Sequence, residues 1–420
     1  MALGWDIVCE VKRIERIRLY PTPRQEDALR FMLDVTRQLY NAALQERRDA
    51  YRMRRVSISA KQQYAEVTAL RKPIFRLDTR LAAVYRECED AVLHRLDLAF
   101  AAFFRRCKRG ETPGFPRFRA ASRWKQLEFP HGDRALRFVG ERVIVPGLGA
   151  VRLRKGRKVP EDRGRAWIVE TNGRWHACFE CERAAQPLPA TGKVPGVDRG
   201  VHVLAATSEG ELIANGRMAN RHRRVVTGHA RALDAATVKD AKGRPTNWKD
   251  PKRIAALQRL ARAKEREANA RLDALHKVAH RIVASADVIG FEALNLRGMT
   301  RSAKGTIEEP GRNVAAKTGL NRAMLDAGFG ILRRLIGEKA ERAVRRIVDV
   351  DARYSSQTCG HCLHVAAESR RRRRFVCVAC GFRLHADLNA ALEIRRRAQL
   401  ALTSEPYPAE DAGRRARCAA

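Results

Sequence analysis

Two Cys-x-x-Cys pairs, Cys359 with Cys362 and Cys377 with Cys380, stand fourteen residues apart (363–376) and constrain this chain more than any other feature. Four thiolates at that spacing can close a tetrahedron about one Zn²⁺, with a short hairpin ribbon as the spacer. Gly381 follows the second pair, where a turn residue is useful, whereas Leu363 holds the matching place after the first. His361 and His364 are rival donors, but four cysteines already complete the shell. The expected zinc therefore has no open position and stabilises folding rather than performing chemistry. Cys178 and Cys181 repeat the spacing inside WHACFECE. That segment reads as a strand, where an offset of three sends side chains to opposite faces, so core packing is expected there. Cys9, Cys88, Cys107 and Cys418 have no partner pattern.

The 420 residues carry 84 Lys+Arg against 47 Asp+Glu, a formal net charge of +37. So much spread cation points to a polyphosphate partner. Hydrophobic residues make up 45%, enough for a real core, which excludes disorder as the dominant state. Uncharged stretches such as 143–151 are about half the length a membrane-spanning helix needs. No signal peptide is visible at residues 1–10, so a cytoplasmic nucleic-acid protein with no membrane partner is expected.

VKRIERIRLY (11–20) reads as a strand that Pro21-Thr22-Pro23 breaks. Leu29, Met32, Leu33, Tyr40 and Leu44 then recur at helical spacing, as do Leu81, Val84, Cys88, Val92, Leu96 and Phe100 further on. Between residues 115 and 195, short apolar runs alternate with Gly- or Pro-marked turns, which predicts a small, mostly antiparallel β-barrel. The N-terminal strand is assigned to it, leaving the helices of 24–110 as an insertion. From Gly196 on the pattern is α/β, and the tail 403–420 reads as disordered.

Within the α/β half, Asp198 lies on a strand in GVDRG, Glu292 ends the apolar run 288–291, and Asp387 starts a helix in HADLNAALEI. An acid just past a buried strand is costly unless solvated or metal-bound. Taken singly each is an ordinary solvated or capping carboxylate. Together, in the order strand Asp, strand Glu, helix Asp, they suit a ribonuclease-H-like fold whose acids converge on two Mg²⁺ ions. Asn389 can orient Asp387 or simply cap the helix start.

Basic residues interleave with aromatics at Phe115, Arg117, Phe118, Arg119, Trp124 and Lys125, either to meet phosphates and bases or as barrel-core aromatics with solvated bases between them. The run from Arg370 through Arg371 and Arg372 to Arg374, between the cysteine pairs, is either a solvated face or a phosphate contact. The basic helical stretch 250–283 leaves the same two possibilities.

The set GVDRG, IGFEALNLRGM, LNRAMLDAGFG, DARYSSQTCGHC, CVACG and HADLNAALEI resembles the TnpB proteins of bacterial and archaeal insertion sequences. These are small RNA-guided relatives of the type V CRISPR nucleases. The resemblance continues through RIRLYPTPRQEDALR, LYNAALQERRDAY and GFPRFRAASRWKQLEF, and so covers nearly the whole chain apart from the tail. It implies a multi-domain α+β architecture. Residues 1–23 and 111–195 would form a wedge-type β-barrel with a helical recognition insertion at 24–110. Residues 196–352 and 382–402 would form an RNase-H-like (RuvC) nuclease domain, with a four-cysteine zinc ribbon inserted at 353–381. By the same resemblance Asp198, Glu292 and Asp387 would be the catalytic triad, holding two Mg²⁺ (or Mn²⁺) ions beside the structural Zn²⁺. The implied activity is RNA-guided DNA cleavage next to a short flanking motif. The implied partners are guide RNA, double-stranded DNA and the displaced single strand, with a monomer favoured. One departure is Leu363, where the family usually has Gly, which loosens the first knuckle slightly but leaves its ligands intact. A non-cleaving, sequence-specific DNA-binding regulator and a protein-only transposition nuclease are the rival expectations.

Overall fold

Thr22 ends one element and begins the next. The strand β1 (Glu10–Tyr20) stops at Pro21, and Thr22 then caps α1 (Pro23–Arg54). Its hydroxyl accepts from Gln25 N while the Gln25 side chain accepts from Thr22 N, and Pro23 occupies the first turn. The computed structural model describes residues 10–71, 79–156, 159–306 and 308–404. The expected tail lies outside these beyond Ser404, as do Cys9 and Cys418. No helix of the described residues is long and apolar enough to cross a membrane. The chain divides into two compact units, residues 12–183 and the part from Ala184 onward.

In the first unit α1 buries Leu29, Met32, Leu33, Tyr40 and Leu44, the stripe legible in the sequence. A second capping box, Ser59 with Gln62, starts α2 (Ala60–Leu70), a helix without a clear apolar stripe. The second stripe is split between α3 (Thr79–Ala82) and α4 (Arg86–Lys108). The β elements follow as β2 (Gln126–Phe129), the short α5 (Gly132–Ala135), β3 (Arg137–Val139), β4 (Arg142–Val145), β5 (Gly149–Leu153), β6 (Arg163–Thr171) and β7 (Arg174–Ala184). They form one sheet in the order β2-β6-β7-β1-β5-β4-β3, with β1 taken in from the far N-terminus.

The expected barrel is thus a half-barrel, with β2 and β3 at open edges. Helices bury its apolar face instead of closure: α1 and α4 pack on β2, and α5 lies on β6. The α5 contact is so close that a Cβ at Gly132 would stand 2.3 Å from the Ala166 Cβ. The core joins Leu33, Leu44 and Leu96 to Phe129, Trp175 and Phe179. Along β7 buried and partly exposed positions alternate, so Cys181 faces the core and Cys178 the other side, as an offset of three requires.

The second unit opens with β8 (Gly196–Asp198), β9 (Val203–Thr207) and β10 (Leu212–Ala214). Two helices follow, α6 (Met218–Ala235) and the basic α7 (Pro251–Ala284), then β11 (Val288–Glu292), α8 (Leu296–Met299), α9 (Val314–Ala327), α10 (Phe329–Arg342) and β12 (Arg346–Val350). The five strands pair in the order β10-β9-β8-β11-β12. β10, β9 and β8 run antiparallel, whereas β8, β11 and β12 are parallel. Leu275, Ile282, Phe329, Leu332 and Ile336 from α7 and α10 pack against the sheet residues Val197, Ile289 and Phe291. Three short strands, β13 (Arg370–Arg371), β14 (Arg374–Val376) and β15 (Arg383–His385), make a small ribbon, and β15 runs straight into α11 (Ala386–Ser404). α11 lies across β8, β11 and β12.

Candidate functional site

Alternation along two parallel strands brings two acids side by side. Gly196 and Asp198 are two residues apart on β8, Gly290 and Glu292 two apart on β11, and Gly290 pairs with Gly196. Both glycines abut α11: an added Cβ would stand 2.2 Å from the Ala391 carbonyl oxygen at Gly196, and 2.8 Å from the Ala398 Cβ at Gly290. Residues two apart share a face, so Asp198 and Glu292 project on the α11 side at the C-terminal ends of their strands. Asp387 is in the first turn of that helix. Gly200, just past β8, is close enough that a Cβ there would be 3.8 Å from Asp387 Oδ2.

The three carboxylates act on one another. Burial, then the charges of Glu292 and Asp387, push Asp198 up to about 7. Burial also raises Glu292, opposed by the Ser355 hydroxyl, which donates to its Oε1, and by the Arg199 cation. Arg370 donates to Asp387 Oδ1 at 3.3 Å, and its charge favours the ionised forms of Asp198 and Glu292. Arg199 is buried and braces the frame, donating to the Glu292 carbonyl at 2.6 Å and to the Phe329 carbonyl at 3.4 Å. Among the described residues only the four cysteines below bring three or more ligand atoms within 4.8 Å of one another, and the carboxylates spread wider.

The cysteine pairs meet as their spacing predicts. The sulfurs of Cys359, Cys362, Cys377 and Cys380 all lie within 4.8 Å of one another, with Cys359 to Cys380 at 3.8 Å and Cys362 to Cys377 at 3.5 Å. A tetrahedral ion with metal–sulfur bonds of about 2.3 Å puts its sulfurs about 3.8 Å apart, so the donor set fits such a metal. Backbone N–H groups point at the sulfurs: His361 N donates to Cys359 Sγ and Cys380 N to Cys377 Sγ. The Cys380 N–H is the main reason the Cys377 thiol is lowered to about 6, which favours the thiolate. The two knuckles share one turn: Leu363 N donates to the Cys359 carbonyl and Gly381 N to the Cys377 carbonyl. Leu363 takes φ +64° and Gly381 φ +73°, so leucine occupies the left-handed conformation that glycine adopts in the other knuckle.

Other residues singled out in the sequence fare differently. Trp124 does not offer a stacking surface: it is 5% exposed, in the helix–sheet core, and its indole N–H donates to Thr36 Oγ1. Apolar burial outweighs the basic neighbours at that position. Lys125 pairs with Glu170 at 2.6 Å, while Arg117 and Arg119 are exposed and the backbone of Arg119 is held by Asn41. Arg371 and Arg372 are exposed, with Arg372 in the ribbon turn at φ +54°. Arg370 instead faces the carboxylates. Asn389 neither caps the helix nor touches Asp387; it is buried and holds the first knuckle, accepting from Gly360 N and donating to the Thr358 carbonyl. Ser355 and Arg199 carry no spacing signal in the sequence, because only the packing of distant elements brings them to Glu292.

Three family models match this chain: "Helix-turn-helix domain" at residues 11–55, "Probable transposase" (OrfB of IS605) at 176–303, and "Cas12f1-like, TNB domain" at 329–394. Residues 11–55 here form β1 and the single long helix α1 rather than two helices about a turn. The chain is 31% identical over 304 residues to InsQ of Escherichia coli (strain K12), named as a candidate RNA-guided DNA endonuclease, with 72% of each chain covered. It is 27% identical over 396 residues to a Streptomyces pristinaespiralis protein named in the same way, covering 92% of this chain and 89% of that one. Among solved structures, the mini-RNA-guided endonuclease CRISPR-Cas phi3 shares the fold at a TM-score of 0.53 and 10% identity, covering 94% of this chain and 93% of that one.

Proposed function

The chain belongs to the TnpB family, and from that premise we propose that it is an RNA-guided DNA endonuclease. Guide RNA pairs with one strand of the target beside a short flanking motif, while protein groups hold the opened duplex and the displaced strand. Residues 1–23 and 111–195 serve as the wedge, 24–110 as the recognition helices, and 196–352 with 382–402 as a RuvC-like nuclease domain. The zinc ribbon of 353–381 is set into that domain, and the whole acts as a monomer in the cytoplasm. The strand order and directions of the five-stranded sheet are those of a ribonuclease-H-like fold, which supports this reading.

One observation carries it: Asp198 and Glu292 stand at the ends of the paired strands β8 and β11 and Asp387 at the start of α11, which lies across them, with Asp198 raised by burial and by the charges of the other two. Buried acids that raise one another's pKa are costly unless cations compensate them. These residues would hold two Mg²⁺ ions, with Mn²⁺ as a substitute, and such ions, when bound, activate water and stabilise the leaving oxygen of a phosphodiester. Ser355 orients the Glu292 carboxylate, Arg199 fixes the backbone beneath it, and Arg370 holds Asp387 from the ribbon side. Cys359, Cys362, Cys377 and Cys380 would hold Zn²⁺, which would fix the ribbon that carries Arg370 and leads into α11.

The test is to express the protein with its native flanking DNA, sequence the RNA that co-purifies, and assay Mg²⁺-dependent cleavage of a matching target. A discrete RNA and cleavage that Asp198→Ala abolishes, with RNA retained, are expected. Guided binding without cleavage would instead indicate a non-cleaving regulator, and cleavage without RNA a protein-only nuclease.

A further inference from the structure

The loop that leaves β8 after Asp198 ends on a histidine that two arginines share. His202 Nδ1 lies 3.1 Å from Nη2 of Arg217, just before α6, and 3.2 Å from Nη2 of Arg373, in the turn between β13 and β14. A guanidinium only donates, so Nδ1 is the acceptor and the ring carries its proton on Nε2. The meeting joins three segments far apart in sequence, all of them within the second unit. Asn215 fixes it from behind, donating to the Val201 carbonyl at 2.7 Å and accepting from Arg217 N at 3.0 Å. The end of the loop and the start of α6 are thus held together before any ligand arrives.

Two cations drawn to one neutral nitrogen are poorly compensated. A single lone pair serves both guanidinium groups, and among the described residues neither Arg217 nor Arg373 pairs with a carboxylate. All three residues are exposed, so the unused N–H groups are open to a ligand. An anion between the two arginines removes their repulsion and takes up those donors. Both arms also hang on left-handed backbone that a non-glycine residue adopts only at a cost. Arg217 itself has φ +43°, and Arg372, which precedes Arg373 in the two-residue turn between the paired Arg371 and Arg374, has φ +54°. Strain of this kind persists where a side chain is held ready for a ligand.

The arginine pair borders the carboxylates. Gly200, midway along the loop, would bring a Cβ to 3.8 Å from Asp387 Oδ2, and Arg370, three residues before Arg373, donates to Asp387 Oδ1. We propose that Arg217 and Arg373 clamp a phosphate of the DNA strand next to the one being hydrolysed, and that His202 is the positioning residue that draws them together. Two guanidinium forks suit the oxygens of one phosphate. Anchoring a neighbouring phosphate aligns the scissile one with the carboxylates. The clamped phosphate belongs to the cut strand and not to the guide, because only the cut strand has to lie beside Asp387. That this strand is DNA presented for cleavage rests on the function proposed above; the convergence of the arginines on His202 does not.

The test combines variants with neutralised phosphates. Target DNA carrying one methylphosphonate at successive positions beside the cut is offered, with Mg²⁺, to the RNA-loaded wild type, Arg217→Gln/Arg373→Gln, His202→Phe and His202→Asn. At one position the neutral phosphate should slow the wild type about tenfold; the arginine variant should lose as much on unmodified DNA, and the two changes together should cost little more. His202→Phe, which removes the acceptor, should slow cleavage about fivefold, whereas His202→Asn, whose Oδ1 replaces Nδ1, should stay within about twofold of the wild type. Target binding without Mg²⁺ should hold within about twofold in every variant, since base pairing carries it. All three residues are exposed, so the substitutions leave the core intact. Additive losses at every position, or His202→Phe and His202→Asn behaving alike, would overturn the clamp even if guided cleavage stands. Loss of co-purified RNA from the arginine variant, with no position-specific effect on DNA, would overturn it in favour of a guide contact. If guided cleavage is absent altogether, nitrogen NMR of the His202 ring in the full chain, assigned with His202→Asn, decides alone. Added hexathymidylate should then shift Nδ1 in the wild type and not in the arginine variant, and an unmoved wild-type signal overturns the site.

Discussion

Asn389 on α11 grips the first cysteine knuckle with both ends of its amide: Oδ1 accepts from Gly360 N at 2.8 Å and Nδ2 donates to the Thr358 carbonyl at 2.7 Å. Because one partner is a backbone donor and the other a backbone acceptor, the orientation of the amide is fixed. Gly360 itself presses on the helix, where a Cβ would stand 3.0 Å from the Leu392 Cβ. The helix that carries Asp387 is thereby tied to the ribbon that carries the cysteines.

Asn389→Leu should leave two buried backbone groups unpaired and destabilise the second unit by about 2–4 kcal/mol. The measurement is thermal unfolding of the zinc-loaded protein together with the rate at which a chelator removes the metal. A faster loss of zinc is expected, and Asn389→Asp, which keeps the acceptor, should show a smaller effect.

Leu363→Gly should stabilise the knuckle. The left-handed conformation costs a non-glycine residue about 1–2 kcal/mol, and the extra chain entropy of glycine returns about half of that. Leu363 is half-exposed, so little apolar burial is lost. A gain of about 0.5–1 kcal/mol in the same unfolding assay is expected, whereas Leu363→Val should lose stability.

Asp198 ties stability to pH in metal-free protein. Its carboxyl is raised from 3.8 to about 7, so it favours folding below the unfolded value, and that advantage is lost as pH rises through 7. The full loss corresponds to on the order of 4 kcal/mol at alkaline pH. Chelator-treated protein should therefore melt at a lower temperature at about pH 8.5 than at about pH 5.5. Asp198→Asn should flatten the difference, and millimolar Mg²⁺ should do the same to the wild type.

Gly196→Ala should displace α11 from β8, since the new Cβ would meet backbone atoms of Ala391 and Arg395 at 2.2 and 2.3 Å. A loss of about 3 kcal/mol or more is expected, with cleavage lost as well. Gly228→Ala, in α6 with open space around it, should instead gain about 0.5–1 kcal/mol. Melting curves of the two variants side by side give the comparison.

Local spacing already determined a good deal. Two Cys-x-x-Cys pairs separated by a hairpin's length marked a four-sulfur site, each pair closing one tight turn, whereas the same spacing at Cys178 and Cys181 lies in a strand that parts them. The stripes Leu29 to Leu44 and Leu81 to Leu96 determined where helices bury a face, since a period of about 3.6 is a property of neighbours along the chain. The positions of Asp198 and Glu292 at strand ends were legible for the same reason. Tertiary structure decided the rest. Runs of short strands predict antiparallel pairing but cannot say whether a sheet closes, and here α1, α4 and α5 cover the apolar face that closure would have buried. The same covering buried Trp124 in the core, with its indole N–H on Thr36. Asn389, Arg370, Ser355 and Arg199 acquired their partners only when elements 17 to 130 residues apart packed together. Polar side chains of that kind carry no periodic signal, because what they bond to is set by the fold and not by their neighbours in sequence.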